Sequence, residues 1–196
     1  QSFDNKPRTD PGKQFIRITG ASLSLGKRLR WPDDFFSAFY SLSYSQYNLQ
    51  NANGAYGLQI NTGKSNNIEL KFALSRSSTT EPIFPTGGSS YNFSLAVTPP
   101  FSSFTNKDYA TMSVADKFKF IEYHKWKFDA ENYTQLFGKF VLATKLRFGY
   151  LGYYNKTLGL SPFERFMVGG SGLNSFGQLG TEIISLRGYP DRTITQ

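Results

Sequence analysis

Few residues of this chain have types and spacings that could do chemistry. Asp129 and Glu131 stand two apart, an arrangement that on one strand face could pair a general acid with a general base. Lys125 and Lys127 precede them at the same spacing, so the four fall on one side of an extended segment, and an ion-paired wall is the simpler account. His124 is the single histidine and falls on the apolar side near a strand end, where it suits a membrane interface better than catalysis. The serines lack the Gly-x-Ser-x-Gly elbow of a nucleophile, and ligand clusters of metal-binding spacing are absent. Gly169-Gly170 has neither phosphate-loop nor dinucleotide spacing and reads as a flexible loop. Arg187-Gly188-Tyr189, at the end of a glycine-rich stretch, says little by itself. No enzyme, cofactor or metal is expected.

The elements that position these residues are strands. Lys139 to Tyr150 places Phe140, Leu142, Thr144, Leu146 and Phe148 opposite Lys139, Val141, Ala143, Lys145 and Arg147, a period of two. Tyr123 to Tyr133 alternates likewise, with Trp126, Phe128 and Ala130 opposite Lys125, Lys127, Asp129 and Glu131, and a turn around 135–138 joins the two as a hairpin. Asn67 to Ser75 and Ser90 to Val97 alternate around the turn signal of 81–88. Gln14 to Gly26 and Asp34 to Tyr47 flank Trp31-Pro32-Asp33-Asp34, the second of them opposing Phe36, Ala38, Tyr40, Leu42 and Tyr44 to a file of serines broken by Phe39.

Six antiparallel strands follow, in residues 1–153, with connections alternately short and long. Short turns at one end and long polar loops at the other are the habit of outer-membrane barrels. No stretch approaches the roughly 18 consecutive apolar residues of a membrane helix, whereas strands of about ten residues suit a tilted membrane strand. Aromatic residues make up 17% of a chain whose mean hydropathy is -0.40. They gather near strand ends: Trp31, Phe35 and Phe36 at the short-turn end, and Tyr44, Tyr47, Trp126, Tyr150, Tyr153 and Tyr154 at the long-loop end. Two such belts are expected at the two membrane interfaces. The apolar face then meets lipid, and Lys125, Lys127, Asp129, Glu131, Lys145 and Arg147 face the lumen. A soluble sugar-binding sandwich is the competing all-β reading.

The net charge of +8, from 22 Lys and Arg against 14 Asp and Glu, is scattered along the chain, and no nucleic-acid partner is expected. Cysteine is absent, which excludes disulfide scaffolds. Six strands fall short of the eight of the smallest membrane barrels, so the chain is expected to be a piece of something larger or to assemble with copies of itself. It starts at Gln1 without a leader, as after removal of a signal or as an internal piece.

Three stretches, in order and spacing, resemble the BamA-type outer-membrane assembly factors of the bacterial surface antigen superfamily. "IFPTGGSSYNFSLAVTPP" (Ile83 to Pro100) is similar to the family's periplasmic turn and following strand. "PFERFMVGGSGL" (Pro162 to Leu173), with Phe163, Glu164, Phe166, Gly169 and Gly170 matching, is similar to the stretch before its loop motif, and "ISLRGYPD" (Ile184 to Asp191) resembles that motif. "IEYHKWKFDAENY" (Ile121 to Tyr133) further resembles the Bacteroidetes-type form.

The resemblance covers residues 67 to 191. It implies an all-β, antiparallel transmembrane barrel segment, about six central strands of a barrel of sixteen, with residues 154–196 starting a long extracellular loop that folds into the lumen. It implies localisation in the bacterial outer membrane and a non-enzymatic role in inserting client barrel proteins, with the bilayer, unfolded clients and accessory lipoproteins as partners. A passive pore or two-partner-secretion channel is the alternative. Arg187, Gly188 and Tyr189 would lock the loop. A guanidinium can pair bidentately with acidic residues of the wall, which in the family lie on later strands. Gly188 would allow a positive φ or a close approach to the wall, and Tyr189 would pack there.

Overall fold

The computed structural model describes residues 12–52, 60–81, 83–105, 108–170, 180–190 and 194–195. Six strands form one sheet in sequence order: β1 (Phe15–Arg28), β2 (Phe36–Gln50), β3 (Gly63–Ser77), β4 (Gly88–Val97), β5 (His124–Phe137) and β6 (Phe140–Gly152). All neighbours are antiparallel, and the sheet is open at β1 and β6. Register keeps like with like across the strands. Leu25, Tyr40, Phe72, Leu95, Trp126 and Tyr150 form one continuous row, and Leu74, Phe93, Phe128 and Phe148 form the next. Cross-strand aromatic and aliphatic pairs of this kind stabilise a sheet by a few tenths of a kcal/mol to ~1 kcal/mol each. This face is open: Leu42, Leu70, Leu146 and Phe148 are each more than half exposed.

The opposite face is polar over its lower part and apolar at the long-loop end. Ser24 and Ser41 bond across β1 and β2 at 2.9 Å. Higher up, the file of β2 changes to Tyr47 and Leu49, beside Ile16 of β1, and these three are buried. With Ile121, Tyr123, Leu151, Leu158 and Phe163 they form the core. It lies between the upper end of the sheet and the chain that returns over it after β6.

At the short-turn end Arg76 ties two hairpins together. Its Nε donates to Asp33 at 2.9 Å and its Nη1 to Ser78 and Ser89, while the guanidinium lies 5.7 Å and 5.8 Å from the Phe35 and Phe36 ring centres. The long connection after β4 carries two single-turn helices, α1 (Phe101–Phe104) and α2 (Val114–Lys117), the latter capped by Ser113. After β6 the chain builds a second, three-stranded sheet from β7 (Phe166–Val168), β8 (Glu182–Ile184) and β9 (Ile194–Thr195), with β7 in the middle.

Candidate functional site: a loop latched to the sheet wall

On the polar face of β5 and β6, register sets Asp129 opposite Arg147 and Glu131 opposite Lys145. Asp129 and Arg147 approach to 3.4 Å, and Glu131 pairs with Lys145. These groups are a third to more than half exposed, so each pair contributes at most ~1 kcal/mol. One step higher the pattern changes. Lys127 faces Gly149, Lys125 faces Leu151, and the chain after β6 meets both lysines.

The approach is organised by a turn at 161–165. Ser161 Oγ accepts from the Phe163 amide at 3.1 Å, and Arg165 Nε donates to the Ser161 carbonyl at 3.0 Å. Glu164 sits at φ 62°, an unusual region for a residue with a Cβ, and its carboxylate is turned onto Lys125 at 3.3 Å. Lys125 Nζ also donates to the Gly180 carbonyl at 3.1 Å, lies 3.8 Å from Glu182, and stands 4.8 Å from the centre of the Phe166 ring. Every one of these partners comes from the returning chain. Glu182 is held in turn by Lys127 at 3.0 Å.

Lys125 and Glu164 are 8% and 13% exposed, so their attraction is little screened by water. Burial pushes the Glu164 carboxyl above the ordinary glutamate range, with Lys125 pulling it back and Glu69 adding to the rise. A polar cavity of ≈ 190 Å³ remains around the pair, lined also by Glu69, Lys71, Lys127 and Glu182. Small residues make the approach possible. A Cβ on Gly180 would overlap the Glu164 carboxylate, and one on Gly149 would lie 2.8 Å from the Phe166 ring.

Phe163 anchors the same turn. It is fully buried and stacks on Tyr47, ring centres 4.6 Å apart at 18°. Below it the Tyr123 hydroxyl donates to Glu69 and accepts from Asn67 at 3.5 Å. Burial, with the Glu164 and Glu69 carboxylates close by, raises the Tyr123 hydroxyl far above the usual phenol range, so it serves as a neutral donor. Tyr47 therefore departs from the aromatic belt in which its place near a strand end had put it. Strand β2 runs on to Gln50, and Tyr47, an odd number of residues from Tyr44, points to the opposite face.

Two glycine-bearing motifs meet at the far end of the loop. The Gly170 amide donates to the Tyr189 carbonyl at 2.8 Å, the Leu186 amide to the Gly170 carbonyl at 3.2 Å, and the Gly169 amide to the Ile184 carbonyl at 3.0 Å. Gly169, Gly170 and Gly188 have φ of 131°, 69° and 91°, and nothing lies within 4 Å of where a Gly188 Cβ would be. Positive φ, and not a close neighbour, is what requires glycine at 188. Arg187 and Tyr189 are exposed, and among the described residues Arg187 makes no ion pair. Residues 171–173 of the first motif and Asp191 of the second lie outside the described residues.

The Omp85 superfamily domain matches residues 8–196. The chain belongs to the Omp85 superfamily. Among solved structures, the BamA of Haemophilus ducreyi lacking POTRA domains 1-3 is similar at 22% identity with a TM-score of 0.62, over 98% of this chain and 34% of that one. This chain thus spans about a third of the length of that protein. No curated protein matches the sequence.

The sheet is accordingly a segment of an antiparallel transmembrane β-barrel. His124 stands on the open apolar face at the long-loop end of the sheet. It accepts a hydrogen bond from Trp126 Nε1 at 2.9 Å and lies within 5.8 Å of the Tyr150 and Tyr154 rings. The sequence places Glu164 within a motif but offers no partner for it, and carries no signal for Glu182. Both meet lysines from which they stand dozens of residues away in the chain, and nothing local in the sequence marks such a pairing.

Proposed function

We propose that this Omp85 segment is the supporting wall and latch loop of an outer-membrane protein insertase of the BamA type. In this reading the complete protein resides in the bacterial outer membrane, receives unfolded barrel proteins, and offers the backbone of an edge strand for them to pair with. Accessory lipoproteins assist it. The wall in hand supplies rigidity. The observation that supports the reading most is the enclosure of Lys125 by Glu164, Gly180, Glu182 and Phe166, all from a loop turned back onto the inner face. A loop fixed to the wall in this way obstructs a pore and braces a barrel whose seam must open elsewhere. Asp129, Glu131, Lys145 and Arg147 continue the polar inner wall below it, and Arg187 is assigned a second lock through carboxylates of wall strands outside this chain.

The test is reconstitution of the full-length protein in liposomes with an unfolded barrel client. Client insertion above that of empty liposomes, lowered by Arg187→Ala, is the expected result. Steady ion conductance without client insertion would replace the insertase by the passive channel, and normal insertion by Arg187→Ala would remove the second lock.

A further inference from the structure

The connection between β4 and β5 does not simply arch over the barrel mouth. Its residue Phe120 forms a parallel bridge with Asn66 of β3, which puts the two side chains on the same face. Asn66 accepts a hydrogen bond from the Tyr44 hydroxyl at 3.0 Å, and Tyr44 belongs to the apolar, lipid-side face. Phe120 therefore points outward, while its neighbour Ile121, fully buried, points into the core. The Phe101 ring lies 4.8 Å from that of Phe120, so α1 packs on the outward-facing side chain of the connection, while Ala115 of α2 stands against Gly63 at the start of β3.

Between α1 and α2 this leaves a groove of ≈ 270 Å³ with Phe101, Phe104, Met112 and Phe120 as its apolar lining. Lys117 and Lys119 stand in the same lining, and among the described residues neither makes an ion pair. Two carboxylates also reach it, and both are engaged: Asp116 accepts from Ser113 Oγ at 2.6 Å, and Glu122, buried, accepts from the amide and hydroxyl of Ser102. What the groove presents is thus an apolar floor that includes the outward-facing Phe120, with two lysines beside two carboxylates already held by serines.

We propose that this groove is a lipid site of the outer leaflet, holding an acyl chain against Phe101, Met112 and Phe120 and the lipid's phosphate on Lys117 and Lys119. The chemistry fits both halves. Compact ammonium groups bind phosphate as point charges, and basic clusters beside apolar membrane surface hold lipid head groups. The proposal rests on the transmembrane reading of the apolar face and not on the insertase activity.

The full-length protein in detergent is mixed with phosphatidic acid or with diacylglycerol of the same acyl chains, and retained lipid is counted by native mass spectrometry. Retention of phosphatidic acid is expected, at least tenfold weaker for Lys117→Gln/Lys119→Gln and for Met112→Trp, which fills the groove and spares the lysines. Heat-modifiable migration of each variant shows that its barrel is folded. Equal retention by the double lysine variant, or equal retention of diacylglycerol, overturns the proposal. So does loss of a polypeptide adduct from Met112→Trp with lipid retention unchanged, which would give the groove to a protein. Because lipid retention is read on folded protein, a failure here leaves client insertion standing, and a failure of client insertion leaves this result standing.

Discussion

Replacing Lys125 by methionine keeps an unbranched apolar stem and removes the cation that the loop encloses. Glu164, 13% exposed, is then left with its charge buried and without an ion-pair partner. Breaking a buried pair from one side costs about 3–5 kcal/mol, and screening takes little from that figure at such low exposure. Loop docking should weaken by about two to three and a half orders of magnitude. The acid has one escape, to take up a proton, so the defect should shrink as pH falls.

Hydrogen exchange of the full-length protein reads this through the loop's own small sheet. The Glu182 amide, bonded to the Arg165 carbonyl at 2.9 Å, and the Gly169 amide, bonded to the Ile184 carbonyl, pair strands too short to hold without the wall and should lose protection when the loop is released. Lys127→Met is the control. Its partner Glu182 is 40% exposed and Lys127 itself 30%, so the loss is under ~1 kcal/mol and exchange should rise less than about fivefold. Lys125→Met/Glu164→Gln removes both charges and should recover most of the protection. Equal loosening by the two lysine variants, or a double variant as open as Lys125→Met, would refute the reasoning.

Three further outcomes are expected. Because burial raises the Glu164 carboxyl, the docked loop holds more protons than the undocked one between the ordinary glutamate range and the raised value. Docking should therefore weaken as pH rises through that window and level off above it, and Glu164→Gln should flatten the dependence in the same exchange assay. Gly149→Ala sets a methyl 2.8 Å from the Phe166 ring and should cost about 1–3 kcal/mol of docking, with Phe166→Leu added to the alanine variant restoring part of it. Phe163→Ala empties a fully buried ring site stacked on Tyr47 and should cost about 3–5 kcal/mol, seen as protease cleavage of the loop under conditions where the parent is intact.

The strands were legible because each carries its own period. In β5 and β6 the two faces differ so sharply, Trp126 and Phe128 against Lys125 and Lys127, that the residues sharing a face follow from the pattern alone. The rest was hidden for a physical reason. A strand face is apolar wherever something dry covers it, lipid or protein, and Tyr47 and Leu49 belong to a buried core in which Phe163 stacks on Tyr47. The serine file of β2 turning to Tyr47 and Leu49 is a local signal that this face changes its environment near the loop. The latch itself left no such trace. Glu164 and Glu182 sit in short segments without a period, and β7 to β9 are too brief to read as strands.

The stacking of Phe163 on Tyr47 also joins two distant parts of the chain. Tyr47 and Leu49 stand early in the sequence and Phe163 late, whereas the lower rows of the sheet are built from hairpins between neighbours. Contacts so distant in sequence carry a larger loop-closure cost than those hairpins do. The upper rim therefore owes part of its dryness to a segment outside its own hairpins, and releasing the returning loop should wet Tyr47 while the hydrogen-bonded rows below stay paired.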